Sequence, residues 1–251
     1  MIEATKNDNI LTIRLAHGKA SALDLELAES LALTFAEAAE SDSAAVILTG
    51  TGSIFSAGVD LFRLTGDGGR EYCERFVPAL SRLVLDVFAF PKPLVVAVNG
   101  HAIAGGCIMA LCGDYRLMAA GSGRIGMPEL LVGVPFPPAI LEVVRFAVAP
   151  QSLQSLVYTG RTVQPDDALR YGFIDEVVAP DALLPRAEEI ARQFAAGNAK
   201  NFALTKRELR DQTISRAKHY AHELDDEILA IWSDDATHAN VREYLARTVK
   251  K

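Results

Sequence analysis

The sequence predicts an α/β protein that ends in a region of helices. Two apolar, β-like runs, Val46–Gly50 and Leu94–Val98, each lead through a glycine-containing turn toward a helix. An earlier run, Ile10–Ala16, alternates apolar and polar residues as a half-buried strand does. Toward the C-terminus strand-like runs become few, and charged amphipathic helices follow one another. These observations favour a β/α core at residues 1–180 and a helical region at residues 181–251.

Capping and chain-breaking residues place the remaining elements. Asp24 is positioned to cap a helix that runs to about Glu40, and Pro91 ends an amphipathic helix that begins near Tyr72. Gly160 and Gly172 stand where helices would end. The other predicted elements are a loop at Thr65–Arg70, helices at Gly105–Leu111 and from Pro137 to about Ala149, a strand at Tyr115–Ala119, and C-terminal helices at Leu183–Phe194, Phe202–Asp211, Ile214–Leu229 and Asp234–Arg247.

Composition limits the classes of function. A chain of 251 residues, half of them hydrophobic, is long enough for one large domain. Its net charge of −7 argues against a nucleic-acid partner, which requires clustered basic residues. Cys73, Cys107 and Cys112 are unevenly spaced without a CxxC motif, which indicates reduced thiols and no metal site. Because neither a signal peptide nor an apolar run of membrane-spanning length is visible, we expect a soluble, cytoplasmic protein without a membrane partner.

Two turns carry the candidate chemistry. FSAGVDL at Phe55–Leu61 and NGHAIAGGCIMA at Asn99–Ala110 both place glycine just before or within the first turn of a predicted helix. Backbone N–H groups in a first helical turn have no acceptor within the helix. Two such turns side by side can donate two N–H groups to one oxygen, which is the arrangement of an oxyanion hole. Taken alone, either segment is equally well interpreted as an ordinary strand-to-helix turn.

Both turns closely resemble those of the enoyl-CoA hydratase/isomerase family, the crotonase superfamily. KASALD at Lys19–Asp24, MPEL at Met127–Leu130 and the segment Gly160–Val178 are similar to its CoA-contacting loop, its catalytic-glutamate loop and its closing helix–turn–strand unit. The resemblance covers roughly the whole chain. It implies a ββα spiral core whose C-terminal helices form a homotrimer, usually paired into a homohexamer. It also implies no metal or redox cofactor, since CoA arrives as part of an acyl-CoA substrate.

The resemblance also implies roles for individual residues. It assigns the oxyanion donors to the backbone N–H groups of Val59 and Gly105, and the catalytic base to Glu129. Apolar neighbours would desolvate the Glu129 carboxylate and raise its pKa, whereas the alternative is a solvated loop glutamate. Capping of a helix start is the alternative role for Asp60. The substrate-binding residues that the resemblance implies are Lys19, Ala20, Ala22, Ala57, Asp60 and Leu61.

One position departs from the pattern of the family's hydratases. These enzymes carry a second glutamate three residues past the oxyanion glycine, where this chain has Ile108. Isoleucine can neither orient a water molecule nor take its proton, and it makes the pocket drier. A single base in a dry pocket suits a shift of a double bond, from 3-enoyl-CoA to 2-enoyl-CoA. The alternatives are an enoyl-CoA hydratase and, from another class, a non-catalytic acyl-CoA-binding protein.

Several further side chains allow both a structural and a functional interpretation. Phe136 either lines the acyl tunnel or belongs to the core. Glu142 either pairs with Arg145 on a helix surface or turns inward to replace the missing acid. Tyr72 and Phe76 are either core residues or tunnel lining. Asp114 anchors a turn, with Arg116 as its candidate partner. Lys206 and Arg207 either contact CoA phosphates or are solvated charges, and Trp232 is a residue of the core packing or of an interface.

Overall fold

The computed structural model describes residues 1–66 and 68–248, where ten strands form two sheets among eleven α-helices. The strands are β1 (Ile2–Asn7), β2 (Ile10–Leu15), β3 (Ala45–Thr49), β4 (Ile54–Ser56), β5 (Leu94–Val98), β6 (His101–Ile103), β7 (Tyr115–Ala119), β8 (Ile125–Gly126), β9 (Thr162–Val163) and β10 (Glu176–Val178). The helices are α1 (Leu25–Glu40), α2 (Leu61–Leu64), α3 (Gly69–Phe88), α4 (Gly105–Leu111), α5 (Glu129–Val132), α6 (Pro138–Ala147), α7 (Pro150–Thr159), α8 (Pro165–Tyr171), α9 (Leu183–Ala195), α10 (Ala199–Trp232) and α11 (Asp235–Thr248).

The larger sheet has the strand order β1-β2-β3-β5-β7-β10, in which only the β1-β2 pair is antiparallel. Successive side chains of β3 enter different cores: Val46 and Leu48 belong to the main core, and Ala45 and Ile47 to a second one. Helix α9 covers that second face with Leu183, Ala187, Ile190 and Ala191. Burial on both faces explains why the parallel strands are continuous apolar runs.

The smaller sheet positions the turns that the sequence singled out. Its order is β4-β6-β8-β9, and β4, β6 and β8 are parallel. The carboxyl ends of parallel neighbours lie at the same edge of a sheet. Helices α2, α4 and α5 begin within a few residues of these ends. The chain thus alternates between the two sheets and a helix, in the ββα spiral that the resemblance implied.

Local signals located several boundaries correctly. Asp24 caps α1, accepting a hydrogen bond of 2.8 Å from the Leu27 amide, and α1 ends at Glu40 as predicted. Gly160 and Gly172 end α7 and α8 with positive φ angles of 57° and 80°. Glycine adopts this left-handed conformation without the steric penalty of a Cβ atom.

Two helices differ from their predicted bounds. Helix α3 begins at Gly69 rather than Tyr72 and continues through Pro78 to Phe88, whereas Asp67 of the predicted loop lies outside the described residues. The helices predicted at 202–211 and 214–229 are one helix of 34 residues, α10. Intervening residues of lower helix propensity cost less than about 1 kcal/mol each, and packing on α3 and α6 outweighs that cost. No helix in the described ranges is both long and apolar enough to cross a membrane.

The C-terminal region is attached to the core through buried charges. Asp114 accepts hydrogen bonds from Lys206 at 2.6 Å and Arg210 at 2.7 Å, and all three side chains are nearly inaccessible to solvent. Lys206 is therefore a structural residue, not a solvated one. The candidate partner of Asp114, Arg116, instead binds Asp175 at 2.8 Å. The predicted boundary between the core and the helical region, at residues 180 and 181, remains a prediction. The last three residues of the predicted helical region, 249–251, lie outside the described residues.

Candidate active site

The two glycine-containing turns lie side by side. Strands β4 and β6 pair in parallel, with Ile54 opposite His101 and Ser56 opposite Ala102. The chain leaves both strands at the same edge of the sheet, toward α2 and α4. The backbone of the first turn therefore runs directly against the start of α4.

The backbone N–H group of Val59 lies at this junction. Leu23 forms a parallel bridge with Val59, donating to the Gly58 carbonyl at 2.7 Å and accepting from the Asp60 amide at 2.9 Å. In a parallel bridge of this kind the opposed residue directs its own N–H and C=O groups to the other side. The Val59 amide thus points away from Leu23, and no backbone acceptor for it occurs in the described part of the chain.

Gly105 is the first residue of α4, so its N–H group has no acceptor within the helix. A Cβ atom at Gly105 would lie 3.7 Å from the Val59 nitrogen, and one at Gly58 would lie 3.0 Å from the Gly105 nitrogen. Gly58 has a φ of +83°, and its Cβ would also come within 2.4 Å of the Ile103 carbonyl oxygen. Glycine at position 58 is therefore required both by its conformation and by the close approach of the second turn.

Ala104 precedes Gly105 in a strained conformation. Its φ of 50° and ψ of −123° fall in a region that glycine adopts far more readily than an L-residue with a side chain. Such backbone strain costs on the order of 1–3 kcal/mol and persists where the surrounding structure enforces it. The strain lies at the residue that directs the chain into α4 and orients the Gly105 amide.

A cavity of about 80 Å³ opens beside these amides. Its walls are mainly aliphatic and aromatic and come from β6, from α2, α3, α4, α5, α6, α10 and α11, and from the segments between these elements. The lining residues are Ala57, Val59, Leu61, Leu80, Ile103, Ala104, Gly105, Pro128, Glu129, Val132, Val134, Phe136, Pro137, Ile140, Trp232 and Tyr244. The residues assigned to the two donors and to the base thus line one apolar cavity.

Glu129 is the first residue of α5 and is only 8% exposed. Its Oε2 atom has no hydrogen-bond partner within the described residues, although it is completely buried. Burial raises the pKa of this carboxyl from 4.5 to about 8, and a hydrogen bond from the residue's own backbone lowers it by less. A carboxyl with a pKa near 8 is a stronger base than an ordinary glutamate, and it is placed to act inside the cavity.

The other predicted site residues occupy varied positions. Ala57, Leu61 and Phe136 line the cavity. Asp60 caps α2, accepting from the amides of Phe62 and Arg63 at 3.0 Å. The early loop packs against the first turn, where the Ala57 amide donates to the Ala20 carbonyl at 2.9 Å. Residues outside the cavity lining are Lys19, Ala20 and Ala22 on that loop, Asp60, and Ile108, which is fully buried in α4.

The interpretation of Glu142 as a surface residue was wrong. Its side chain is only 2% exposed, because Arg145 and Arg216 bind its two oxygens at 3.0 and 2.7 Å. The predicted pair with Arg145 is present, and the second arginine comes from α10. Glu142 does not line the cavity. It therefore offers no second acid beside Glu129.

The two cavity residues other than Glu129 that carry polar side chains, Trp232 and Tyr244, were missed as site residues. Trp232 ends α10, and Tyr244 lies on α11, more than 100 residues from Glu129 in sequence. The sequence indicated a packing or interface role for Trp232, and it gave no indication of a role for Tyr244. Both lie on charged helices with no local motif, so only the docking of those helices brings them to the cavity.

Comparison with known proteins agrees with this architecture. Residues 5–246 match the family model described as enoyl-CoA hydratase/isomerase. A carnitinyl-CoA dehydratase of Salmonella arizonae is 31% identical over 225 residues, which are 87% of this chain and 85% of that protein. A Mycobacterium tuberculosis structure described as an enoyl-CoA isomerase is 32% identical, with a TM-score of 0.80 over 87% of this chain and 94% of that chain.

The fold is also shared with the human mitochondrial Δ3-Δ2-enoyl-CoA isomerase. That structure superposes with a TM-score of 0.92, over 98% of this chain and 97% of its own, at 24% identity. The match of the family model over nearly the whole chain is consistent with the two-sheet spiral and with the position of the turns. The chain belongs to the enoyl-CoA hydratase/isomerase family and is an enzyme of the crotonase superfamily.

Proposed function

We propose that this enzyme converts 3-enoyl-CoA thioesters to 2-enoyl-CoA thioesters. The observation that carries the proposal is the composition of the cavity: among the lining residues of the described chain, Glu129 is the sole carboxylate. A double-bond shift needs one group that takes a proton and returns it. Hydration needs a second group that holds and activates a water molecule, and Glu142 is excluded from that role by its position and its two arginines.

In the proposed mechanism the thioester carbonyl oxygen accepts hydrogen bonds from the Val59 and Gly105 amides. The Glu129 carboxylate removes a proton from C2 of the substrate, and the electron pair delocalises into a dienolate whose oxygen carries the negative charge. The protonated Glu129 then delivers the same proton to C4, which leaves the double bond between C2 and C3. One such amide donor is worth about 3 kcal/mol of transition-state stabilisation. The steps need neither water nor a cofactor beyond the CoA of the substrate.

The protonation of Glu129 suits this cycle. With a pKa of about 8, roughly a tenth of the free enzyme has the carboxylate ionised at pH 7. The ionised form is a strong base, and the protonated form is stable enough to keep the proton until it returns to carbon. The apolar walls limit the access of water that would compete for that proton.

The loop at residues 17–24 is the proposed contact for the CoA part of the substrate. Hydrogen bonds from the Ser56 hydroxyl to the Ser21 carbonyl at 2.7 Å and from the Leu23 amide to the Gly58 carbonyl at 2.7 Å hold this loop against the first turn. A thioester whose oxygen lies at Val59 would leave the cavity beside this loop. We therefore infer that Lys19, which is exposed, and the neighbouring Ala20 and Ala22 contact CoA.

The runner-up function is hydration of 2-enoyl-CoA. The names of relatives support both chemistries, since one is a dehydratase and another an isomerase. The Tyr244 hydroxyl is the polar group that favours hydration, because it lines the cavity and is a candidate to hold a water molecule. Hydration through Tyr244 would predict that Tyr244→Phe abolishes the addition of water.

The deciding experiment offers the purified enzyme 3-hexenoyl-CoA and 2-hexenoyl-CoA separately. We expect conversion of the 3-enoyl to the 2-enoyl thioester, followed by its absorbance and by chromatography, at a rate well above the formation of 3-hydroxyhexanoyl-CoA. Faster hydration of the 2-enoyl thioester would overturn the proposal in favour of the hydratase. In either case Glu129→Gln tests whether this carboxyl is the base.

A further inference from the structure

We propose, building on the function proposed above, that the natural substrates carry a short hydrocarbon acyl chain of about four to six carbons, and that Phe136 and Trp232 set this limit. The chemistry fixes one end of the chain: the thioester carbon lies at the Val59 and Gly105 amides. Whatever follows C2 must fit into the cavity beside Glu129. The size, rigidity and polarity of that cavity therefore decide which acyl chains enter.

The cavity is small. Its volume is about 80 Å³. An engineered protein cavity of about 150 Å³ holds one benzene molecule, which has six carbons. In proportion, this cavity holds about three carbons beyond the atoms at its entrance. A chain of eight or more carbons would require its walls to move.

The wall formed by Trp232 is fixed from several directions. Its indole N–H donates to the Pro135 carbonyl at 3.0 Å. Its backbone carbonyl, at the end of α10, lies 2.8 Å from Nε2 of His238 and accepts from the Cys73 thiol at 3.4 Å. These contacts connect α3, α10 and α11 around the indole ring. Because Cys73 and His238 are buried and Pro135 adjoins the lining residue Phe136, Trp232 is held in place against the cavity.

Phe136 forms the adjoining wall from the segment that leads into α6. It is 8% exposed and follows directly after Pro135, the residue to which Trp232 is bonded. Two prolines, Pro137 and Pro138, follow it and restrict the backbone there. The Phe136 ring and the Trp232 indole are thus parts of one connected wall, and shortening the Phe136 side chain is the direct way to extend the cavity.

The cavity also lacks partners for a charged chain end. Its polar side chains among the described residues are Glu129, Trp232 and Tyr244, and the Trp232 N–H is already bonded to Pro135. Within residues 1–66 and 68–248, no cationic side chain lines it to bind a terminal carboxylate. Aromatic rings do attract quaternary ammonium groups, but a trimethylammonium group adds four heavy atoms to the chain and exceeds the available space. A neutral, short hydrocarbon chain fits both the size and the polarity.

The test measures binding rather than turnover, so that it does not depend on which reaction the enzyme performs. Dissociation constants for butanoyl-, hexanoyl-, octanoyl- and dodecanoyl-CoA are measured by calorimetry on the intact enzyme, together with carnitinyl-CoA. We expect the tightest binding for butanoyl- or hexanoyl-CoA and at least tenfold weaker binding for dodecanoyl-CoA. Equal or tighter binding of the dodecanoyl thioester, tighter binding of carnitinyl-CoA, or no binding of any of them would overturn the inference.

Variants of Phe136 then test whether this side chain sets the limit on acyl chain length. Phe136→Leu and Phe136→Ala should move the preferred chain length upward by at least two carbons, and the leucine variant guards against loss of folding in the alanine one. Tyr158→Leu is the control, because Tyr158 lies on α7 outside the cavity lining and is 68% exposed. An unchanged preference in a folded Phe136→Leu enzyme would overturn the role of Phe136. If the binding series behaves as expected but no double bond shifts, the proposed reaction fails and the chain-length limit stands.

Discussion

One carboxyl oxygen of Glu129 is completely buried and has no hydrogen-bond partner within the described chain, a combination that is rare in folded proteins. A buried polar atom without a partner costs about 1–3 kcal/mol. The protein accepts this cost at a residue that lines the cavity together with Val59 and Gly105. A reaction that needs a carboxylate free to take a proton is a physical reason why Glu129 lacks a hydrogen-bond partner in spite of the cost in stability.

Glu129→Gln should therefore reduce the rate by about 10²–10⁴-fold, since an amide cannot take a proton from carbon. For the wild type, kcat/KM should rise with pH up to about 8 and then level off, because the carboxylate form is required. Steady-state kinetics between pH 6 and 9 measures both effects. A full rate in the Gln variant would mean that another group is the base.

The same substitution should increase stability, and the gain should grow with pH. In the folded state the pKa of Glu129 is raised from 4.5 to about 8. The stability that the folded protein has with this carboxyl protonated is therefore fully present below about pH 4.5 and is lost as the pH rises to about 8. Between these values the loss is about 1.4 kcal/mol per pH unit. Thermal unfolding should show a larger advantage of Glu129→Gln at pH 8 than at pH 5.5. Glu29→Gln on the exposed face of α1 is the control and should show no such trend.

Ala104→Gly should stabilise the protein. Glycine removes a backbone strain of on the order of 1–3 kcal/mol at a φ of 50°. Glycine also raises the conformational entropy of the unfolded chain, which destabilises the folded state by roughly 0.4–1 kcal/mol. The net gain of about 1 kcal/mol corresponds to an increase of about 2–4 °C in Tm for a chain of this size. Ala102→Gly, two residues earlier in strand β6, should instead lower the Tm. A decrease for both variants would show that residue 104 is not strained.

At the scale of elements, three parallel strand ends and three short helices decide the geometry of the site. Strands β4, β6 and β8 deliver Val59, Gly105 and Glu129 to one edge of the smaller sheet. The apolar runs of β3 and β5 and the glycines of the turns were readable in the sequence. Strands β8 and β9, with two residues each, are too short to give a periodic signal.

Helix α10 depends on a buried cluster of Asp114, Lys206 and Arg210. Asp114→Asn would leave two cations buried without a counter-charge, and loss of one partner from such a cluster costs about 3–5 kcal/mol. Burial already lowers the pKa of Lys206 to about 8, which shows how little solvent reaches it. Chemical denaturation of Asp114→Asn should show this loss. Asp211→Asn, exposed on the same helix, should change stability by less than about 0.5 kcal/mol.

At the scale of the whole molecule, α10 presents apolar side chains to solvent. Leu204 and Leu209 are 54% and 68% exposed, and Leu209 lines a surface depression together with Phe146 of α6, which is 43% exposed. Contiguous exposed apolar surface is typical of interaction sites. It supports the proposal that the chain assembles as a homotrimer or homohexamer through this face.

Light scattering should accordingly give a mass three or six times the 27.0 kDa of one chain. Leu209→Glu should reduce the assembly, because a charge would be buried in the contact. Leu33→Glu is the matched control, since Leu33 is 60% exposed on α1, away from α10. A mass of a single chain for the wild type would contradict the proposed assembly. A dissociated Leu33→Glu variant would move the contact to α1.

Several local features of this protein were readable in its amino-acid sequence. Burial on both faces makes the central strands apolar throughout, positive φ and close approach require glycine at position 58, and the MPEL motif indicated Glu129 as a candidate base through its resemblance to the family's glutamate loop. These are short-range effects, and they leave their mark within a few residues. The tertiary structure alone decided that α10 is one helix, that Glu142 is held by two arginines, and that Trp232 and Tyr244 close the cavity. Those outcomes depend on how helices dock over long distances, and docking energy is spread over many contacts that no local pattern records.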